Sequence, residues 1–333
     1  MVDKLFSIEN RFCYKIVWKL AEGGMGRVYE AEQLGVRGFV KRIAVKVISQ
    51  KLATQKLFID NFIGEAKLVA DLIHSNIVQT YHLGKANGVY FIAMELIQGV
   101  NLEQLSQQLN DKRQELPTEL AVFITSRVAR GLAYAHSKLD SEGNSLGIVH
   151  RDVSYKNIMI AFEGDVKLTD FGIAKAQGFL VDQEGEVVAG KADFMSPEQA
   201  NFAITDKRSD VFSAGVVLAN LILGYNIFKG TTAEESRNRI MNQDTPDFRK
   251  YHNKIDDRLN EILHRSLSKK VEDRYPSADD LLVDLERYIY GEGYGPTNET
   301  LGRYIRKLFG QETRPASKTN EKRGTMIVER PLD

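Results

Sequence analysis

Strand-like and helix-like segments are separated along this chain rather than alternated, and that separation limits the folds open to it. Between residues 10 and 50 the runs "YKIVWKL", "GRVYEAEQ" and "VKRIAVKVI" are short, rich in β-branched and aromatic residues, and divided by glycine-containing turns, which predicts strands. Residues 53–73 predict a helix, because Leu57, Phe58, Phe62, Ala66 and Val69 fall on one face. Strands are expected again near 77–83 and 89–95, around "KANG". After "IQGVN" the period becomes helical: Leu120, Ile124, Val128 and Leu132 recur every fourth residue behind Pro117, which suits a helix start. Short strands are expected near 148–149, 158–161 and 166–169. Beyond 198 helices are expected over about 209–223, 232–242, 257–268 and 277–290, the last capped by Ser277 with Asp280. Strands first and helices afterwards define an α+β chain. The division expected is a small strand-rich part over 10–96, a larger helical part over 97–291, and a tail over 292–333 whose end, 311–333, is polar and disordered.

Composition narrows the class of partner. Lys+Arg and Asp+Glu balance at 45 each, so nothing points to nucleic acid. The single cysteine, Cys13, excludes an internal disulfide and fits a reducing compartment. No apolar run approaches the ~18 residues of a membrane span. The start "MVDKLFSIEN" lacks an apolar core, so no signal peptide is expected and the cytoplasm is the expected location.

Four groups of residues carry chemistry. In "LAEGGMGRV", 20–28, glycines between two strands let backbone N–H groups approach phosphate oxygens, although an ordinary hairpin has the same look. In "IAVKV", 43–47, Lys46 lies in a strand among apolar neighbours. A lysine that binds phosphates from such a position needs a carboxylate to hold it, and Glu65 on the following helix is the candidate. "HRD…N" at 150–157 and "TDFG" at 169–172 place Asp152, Asn157 and Asp170 on a loop and a turn joined by a short hairpin. Phosphoryl transfer needs a carboxylate beside the attacking hydroxyl and a carboxylate and an amide oxygen on Mg²⁺, which these three supply, although either element alone reads equally as an acidic turn facing water. "MSPEQ" at 195–199, "SDVFSAG" at 209–215 and "EDRYPSA" at 272–278 follow.

In this order, from about Phe12 to Tyr290, the set resembles a protein kinase of the bacterial eukaryotic-like Ser/Thr type. The resemblance implies a two-lobed fold, a small β-rich N-lobe and a larger helical C-lobe, with ATP and Mg²⁺ as cofactors and a protein as substrate. It implies that Gly23, Gly24 and Gly26 cover the phosphates, with Ala21 where the family has another glycine. Lys46 would contact the α/β-phosphates and pair with Glu65. Val28, Ala44 and Met159 would enclose adenine, Met94 would be the gatekeeper, and the backbone at Glu95 and Ile97 would bond the adenine edge. Asp152 would be the catalytic base, and Asn157 and Asp170 would hold Mg²⁺. Glu198 and Arg274 would form a buried ion pair, and Asp210 would support the catalytic loop.

Three departures bear on activity. Ser154 stands where the family has a lysine, and Lys191 stands where it has a threonine that contacts that lysine. The expectation is a relocated charge, with Lys191 serving the γ-phosphate in place of residue 154; the alternative is a solvated loop lysine. Lys156 is disfavoured because Asn157 beside it must face the metal. From 171 to 195 there is no Ser, Thr or Tyr, so a carboxylate, Asp182, Glu184 or Glu186, is expected where a loop phosphate would otherwise face Arg151.

In "NETLGRYIRKLFG", Leu301, Tyr304, Ile305 and Leu308 share a face, which predicts a helix that docks on the domain or a partner. Weak contact of 298–309 with an anionic membrane surface is the lesser option. Ser317, Thr319 and Thr325 are candidate autophosphorylation sites. The rival to an active kinase is a pseudokinase that binds nucleotide as a scaffold. A small-molecule kinase is disfavoured by "MSPEQ", and the choice between Ser/Thr and Tyr stays open, as does the oligomeric state.

Overall fold

The alternating pattern of the first fifty residues becomes an antiparallel sheet. The computed structural model describes residues 13–23, 26–49, 56–86, 88–171, 192–251, 253–311 and 324–327. The chain divides into two units: Met1–Asp71, Gln79–Leu96 and Ala316–Asp333 form unit 1, and Leu72–Val78 with Ile97–Pro315 form unit 2.

Unit 1 holds β1 (Cys13–Gly23), β2 (Gly26–Leu34), β3 (Val40–Ile48), α1 (Lys56–Val69), β4 (Thr80–Ala86) and β5 (Val89–Met94). The strands run in the order β4-β5-β3-β2-β1, each antiparallel to its neighbour. The period of two gives the sheet two apolar faces. Tyr14, Ala31, Ile43, Val45, Phe91 and Ala93 cluster on one. On the other, Ile48 and Ile92 meet Phe62 and Ala66 of α1.

Unit 2 holds β6 (Gly99–Asn101), α2 (Leu102–Lys112), α3 (Thr118–His136), β7 (Ile158–Ala161) and β8 (Val166–Leu168). After these come α4 (Pro197–Ala200), α5 (Lys207–Leu223), α6 (Ala233–Asn242), α7 (Asp257–Ser266), α8 (Ala278–Tyr290) and α9 (Asn298–Leu308). α5 is buried on every side from Ser209 to Ile222, which makes it the axis of the unit. α3 packs against α5 and α8. The helices start where a side chain can take an orphan N–H: Asp206, Thr232, Asp256, Ser277 and Thr297 each accept one, at about 1 kcal/mol apiece.

The structure departs from the sequence reading at four places. No strand forms at 148–149: Ile148 and Val149 are buried, but the next amide, His150 N–H, is taken by the Asp210 carboxylate rather than by a ladder. The strand expected from 77 begins at Thr80, because Asn76 and Val78 bond the backbone of Leu168 in unit 2: Leu168 N–H donates to the Asn76 carbonyl at 2.9 Å and Val78 N–H to the Leu168 carbonyl at 2.8 Å. Leu72–Val78 therefore leaves the 10–96 part. In the tail, α9 belongs to unit 2, and four residues of the end expected to be disordered form β9 (Gly324–Ile327), antiparallel to β1 from Ile16↔Gly324 to Cys13↔Ile327. The apolar face of 298–309 is not left for a membrane surface, since Leu301, Ile305 and Leu308 are buried in the unit. Among the described residues no helix is long and apolar enough to cross a membrane.

Candidate active site

The expected site residues fall in both units. In unit 1 the β1–β2 ladder runs to the pair Gly23↔Gly26, so both glycines stand at the mouth of the hairpin; Gly24 lies outside the described residues. The two have different reasons to be glycine. A Cβ on Gly26 would lie 2.1 Å from the Val47 carbonyl oxygen, so sheet packing forbids one. A Cβ on Gly23 would meet nothing within 4 Å, so the fold itself does not demand its absence.

Ala21 pairs with Val28, Val28 with Lys46, and Ala44 with Met94. Ala44, Lys46 and Ile48 share one face of β3, the face on which Ile48 meets Phe62 and Ala66. Lys46 is 8% exposed, an unusual burial for a lysine. Glu65 lies on α1 between Phe62 and Ala66; its side chain is outside the described residues. Glu95 closes the sheet end, with its N–H donating to the Gln79 carbonyl at 2.9 Å and its Oε2 accepting from Gln79 N–H at 3.2 Å. Ile97 follows in unit 2.

In unit 2 the loop 150–157 is anchored by one carboxylate. Asp210, 1% exposed, accepts from His150 N–H at 2.7 Å and Arg151 N–H at 2.8 Å, and its Oδ2 lies 2.8 Å from His136 Nε2. Burial by itself would raise the Asp210 carboxyl; the bonds from His136 and from the loop reverse this and hold it below the usual carboxylate range. Arg151 has φ +59 and Asp170 φ +56, left-handed values that cost a non-glycine residue of order 1–3 kcal/mol. The anchored His150 and Arg151 amides hold the backbone at Arg151 in place.

His150 ties the loop to the second acidic turn. Its Nδ1 accepts from Asp152 N–H at 3.2 Å, so its Nε2 carries the proton and donates to the Thr169 carbonyl at 3.2 Å. The same ring packs on Phe171, centroids 4.4 Å apart. Asn157 Nδ2 donates to the Asp152 carbonyl at 2.9 Å, and the Asn157 carbonyl accepts from Thr169 N–H at 3.0 Å. The amide is thereby oriented, with Nδ2 committed to the loop backbone. Met159 follows in β7.

Arg274 is 2% exposed and grips Glu198 through two bonds of 2.7 Å, the expected pair. Burial pushes the Glu198 carboxyl up; Arg274 and the Ser209 hydroxyl more than offset it and leave it low. Lys156 is exposed and lies 3.6 Å from Glu103. Lys191, Asp182, Glu184 and Glu186 lie outside the described residues. Sequence reading missed Thr205, whose hydroxyl accepts from Arg151 Nε at 3.1 Å, and Gln199, whose Nε2 donates to the Arg151 carbonyl at 3.0 Å. No local pattern marks Thr205, since a loop threonine reads as a turn. Among the described residues no group of His, Cys, Asp and Glu is assembled as a self-contained metal cage. One amide oxygen and one carboxylate are what Mg²⁺ takes when phosphates and waters complete its shell.

The family model described as "Protein kinase domain" matches residues 14–284, and the chain belongs to the protein kinase family. It is 34% identical to the tyrosine-protein kinase MasK of Myxococcus xanthus over 299 residues, 90% of this chain and 46% of that protein. It is 30% identical to the serine/threonine-protein kinase PrkC of Bacillus subtilis, over 82% of this chain and 40% of that one. The serine/threonine-protein kinase PknL of Mycobacterium tuberculosis is 33% identical over 82% of this chain and 65% of its own length. The chain thus spans less than two thirds of each of these relatives. The solved PknI kinase domain of M. tuberculosis shares the fold, with TM-score 0.61 and 24% identity over 85% of this chain and 99% of that structure.

Proposed function

We propose that the chain transfers the γ-phosphate of Mg·ATP to Ser/Thr hydroxyls of protein substrates. The observation that carries this reading is the set of bonds around His150 and Asn157. They tie Asp152 and Asn157 to Thr169 and Phe171, the neighbours of Asp170, with Arg151 and Asp170 in costly backbone conformations. Such strain is characteristic of working sites.

In this reading Asn157 and Asp170 hold Mg²⁺, which neutralises phosphate charge when bound. Asp152 orients the acceptor hydroxyl and takes its proton. Lys46, with Glu65 as its partner, binds the α/β-phosphates. Gly23 and Gly24 leave room over them, beside Ala21 and Gly26. The family resemblance assigns adenine contacts to Val28 and Ala44 in unit 1 and to Met159 in unit 2, the gatekeeper role to Met94, and the base edge to the backbone of Glu95 and Ile97.

Lys191 replaces the charge missing at Ser154. Two observations support this. Phe194, three residues on, packs against Tyr155 with ring centroids 5.2 Å apart, next to Ser154. Its segment is fixed by Ser213 Oγ donating to the Phe194 carbonyl at 2.7 Å and Asn226 Nδ2 donating to the Asp193 carbonyl at 2.8 Å. Lys156, the lysine two residues from Ser154, lies 3.6 Å from Glu103.

A second reading, transfer to tyrosine, is favoured by the 34% identity to a protein named as a tyrosine kinase. Phosphoamino-acid analysis after reaction with a mixed peptide library separates the two. Labelled serine and threonine support the first; labelled tyrosine alone supports the second. Equal, background labelling by wild type, Lys46→Ala and Asp152→Asn would leave the scaffold reading.

A further inference from the structure

The family match ends at residue 284, and α9 begins at Asn298, yet this helix is built into unit 2 through its backbone. It lies directly on the turn between β7 and β8. A Cβ on Gly302 would stand 2.7 Å from the Glu163 carbonyl oxygen. One on Gly164 would stand 1.8 Å from the Asn298 carbonyl oxygen, and Gly164 also has φ +99. Only two facing glycines permit this approach.

Polar contacts lock the same junction. Asn298 Nδ2 donates to Asp165 Oδ1 at 2.7 Å, and Arg306 Nη1 donates to the Phe162 carbonyl. At the far end of the helix the Leu308 carbonyl accepts from Gln108 Nε2 at 3.1 Å and from Lys112 Nζ, both on α2. The turn from Phe162 to Asp165 is thus gripped by an element fixed at both ends.

The strands that leave this turn run straight to the metal ligands. Asn157 immediately precedes β7, and Asp170 follows β8 by two residues. β8 has only three residues, paired with β7 and bonded by Asn76 and Val78 at Val166 and Leu168, so the turn at its start shares in setting its register. Over the four residues of β7, about 13 Å, a shift at the turn carries to the ligands as a shift of register.

We infer that α9 is a positioning element of the phosphotransfer site: Gly302, Asn298 and Arg306 hold the β7–β8 turn and so fix the spacing of Asn157 and Asp170. The inference rests on the reading of those two residues as Mg²⁺ ligands. Groups that orient metal ligands typically change affinity or activity by about 10–100-fold when removed.

The test uses the full chain as Gly302→Leu, as the pair Asn298→Ala with Arg306→Ala, and as Arg303→Ala, a control whose side chain is 75% exposed. Two quantities are read: amide hydrogen exchange across 158–168, and the Mg²⁺ concentration giving half-maximal phosphate transfer from ATP. Gly302→Leu and the double variant should exchange faster over 158–168 and need about 10–100-fold more Mg²⁺. Arg303→Ala should change neither. If Gly302→Leu does not fold, the double variant decides. Unchanged exchange, or an unchanged Mg²⁺ requirement, in a folded double variant overturns the inference. Asp170→Ala, run alongside, separates the two failures. Full turnover there means the metal reading is wrong and the inference falls with it; loss of turnover there, with the double variant unaffected, condemns the role of α9 alone.

Discussion

Arg274→Lys keeps the charge at the centre of unit 2 and removes the geometry around it. The guanidinium uses all its N–H groups. Nε donates to the Ser268 carbonyl at 2.8 Å, Nη1 to Glu198 Oε1 at 2.7 Å and the Arg208 carbonyl at 3.2 Å. Nη2 donates to Glu198 Oε2 at 2.7 Å and to the Lys269 carbonyl at 3.2 Å. An ammonium offers three donors where the guanidinium has five, so at least two buried acceptors lose their partner. Hydrogen bonds involving a charged group contribute about 1.5–3 kcal/mol each, so the loss of two comes to about 3–6 kcal/mol. That is a large part of the ~5–15 kcal/mol that holds a domain. With a urea m-value of about 3 kcal/mol/M, the midpoint should fall by about 1–2 M, followed by far-UV circular dichroism. A fall under about 0.3 M, below 1 kcal/mol on the same scale, would mean that the donor geometry is irrelevant and that charge alone matters.

Three further outcomes are expected. Asp210 and Glu198 have carboxyls lowered on folding, so the unfolded chain binds more protons as the pH drops. Their stabilisation is complete above about pH 5 and is lost as the pH falls through the folded values, and Asp210→Asn should flatten the fall in urea midpoint measured from about pH 5 downward to about pH 3. Gly99→Ala should lower the thermal midpoint by several degrees, because a Cβ there would lie 2.0 Å from the Ile160 carbonyl oxygen; an unchanged melting curve refutes the close approach of β6 to β7. Lys191→Ala should cut kcat by about 10²–10³-fold, the usual loss for one preorganised electrostatic contact, and an unchanged kcat on a peptide substrate assigns Lys191 to solvent.

The parts legible in the sequence were those whose cause is local. Ile158–Ala161 reads as a strand because β-branched residues sit between turns, and it is one. Leu120 to Leu132 reads as a buried helix face, and all four residues are buried. The Glu198–Arg274 pair and the anchoring of the loop by Asp210 came with the family resemblance rather than from any spacing, and both are present. What was not legible depends on contacts between distant segments. Ile77 looks like the start of a strand, yet its partner is Leu168. The apolar stripe of 298–308 predicts a helix but not its seat. That seat is set by Gly164 facing Gly302, a match of two glycines far apart in the chain. Thr205 acquires its role only because Arg151 is turned toward it by a left-handed backbone.

The account stands most directly on phosphate transfer itself. Wild type and Asp170→Ala are incubated with γ-labelled ATP, Mg²⁺ and a library of Ser, Thr and Tyr peptides, and label per peptide is counted. The account predicts labelled serine and threonine for wild type, and a loss of about 10³-fold or more for Asp170→Ala, in keeping with a charge placed at the transferring group. Equal labelling by the two proteins, whether strong or absent, would contradict it.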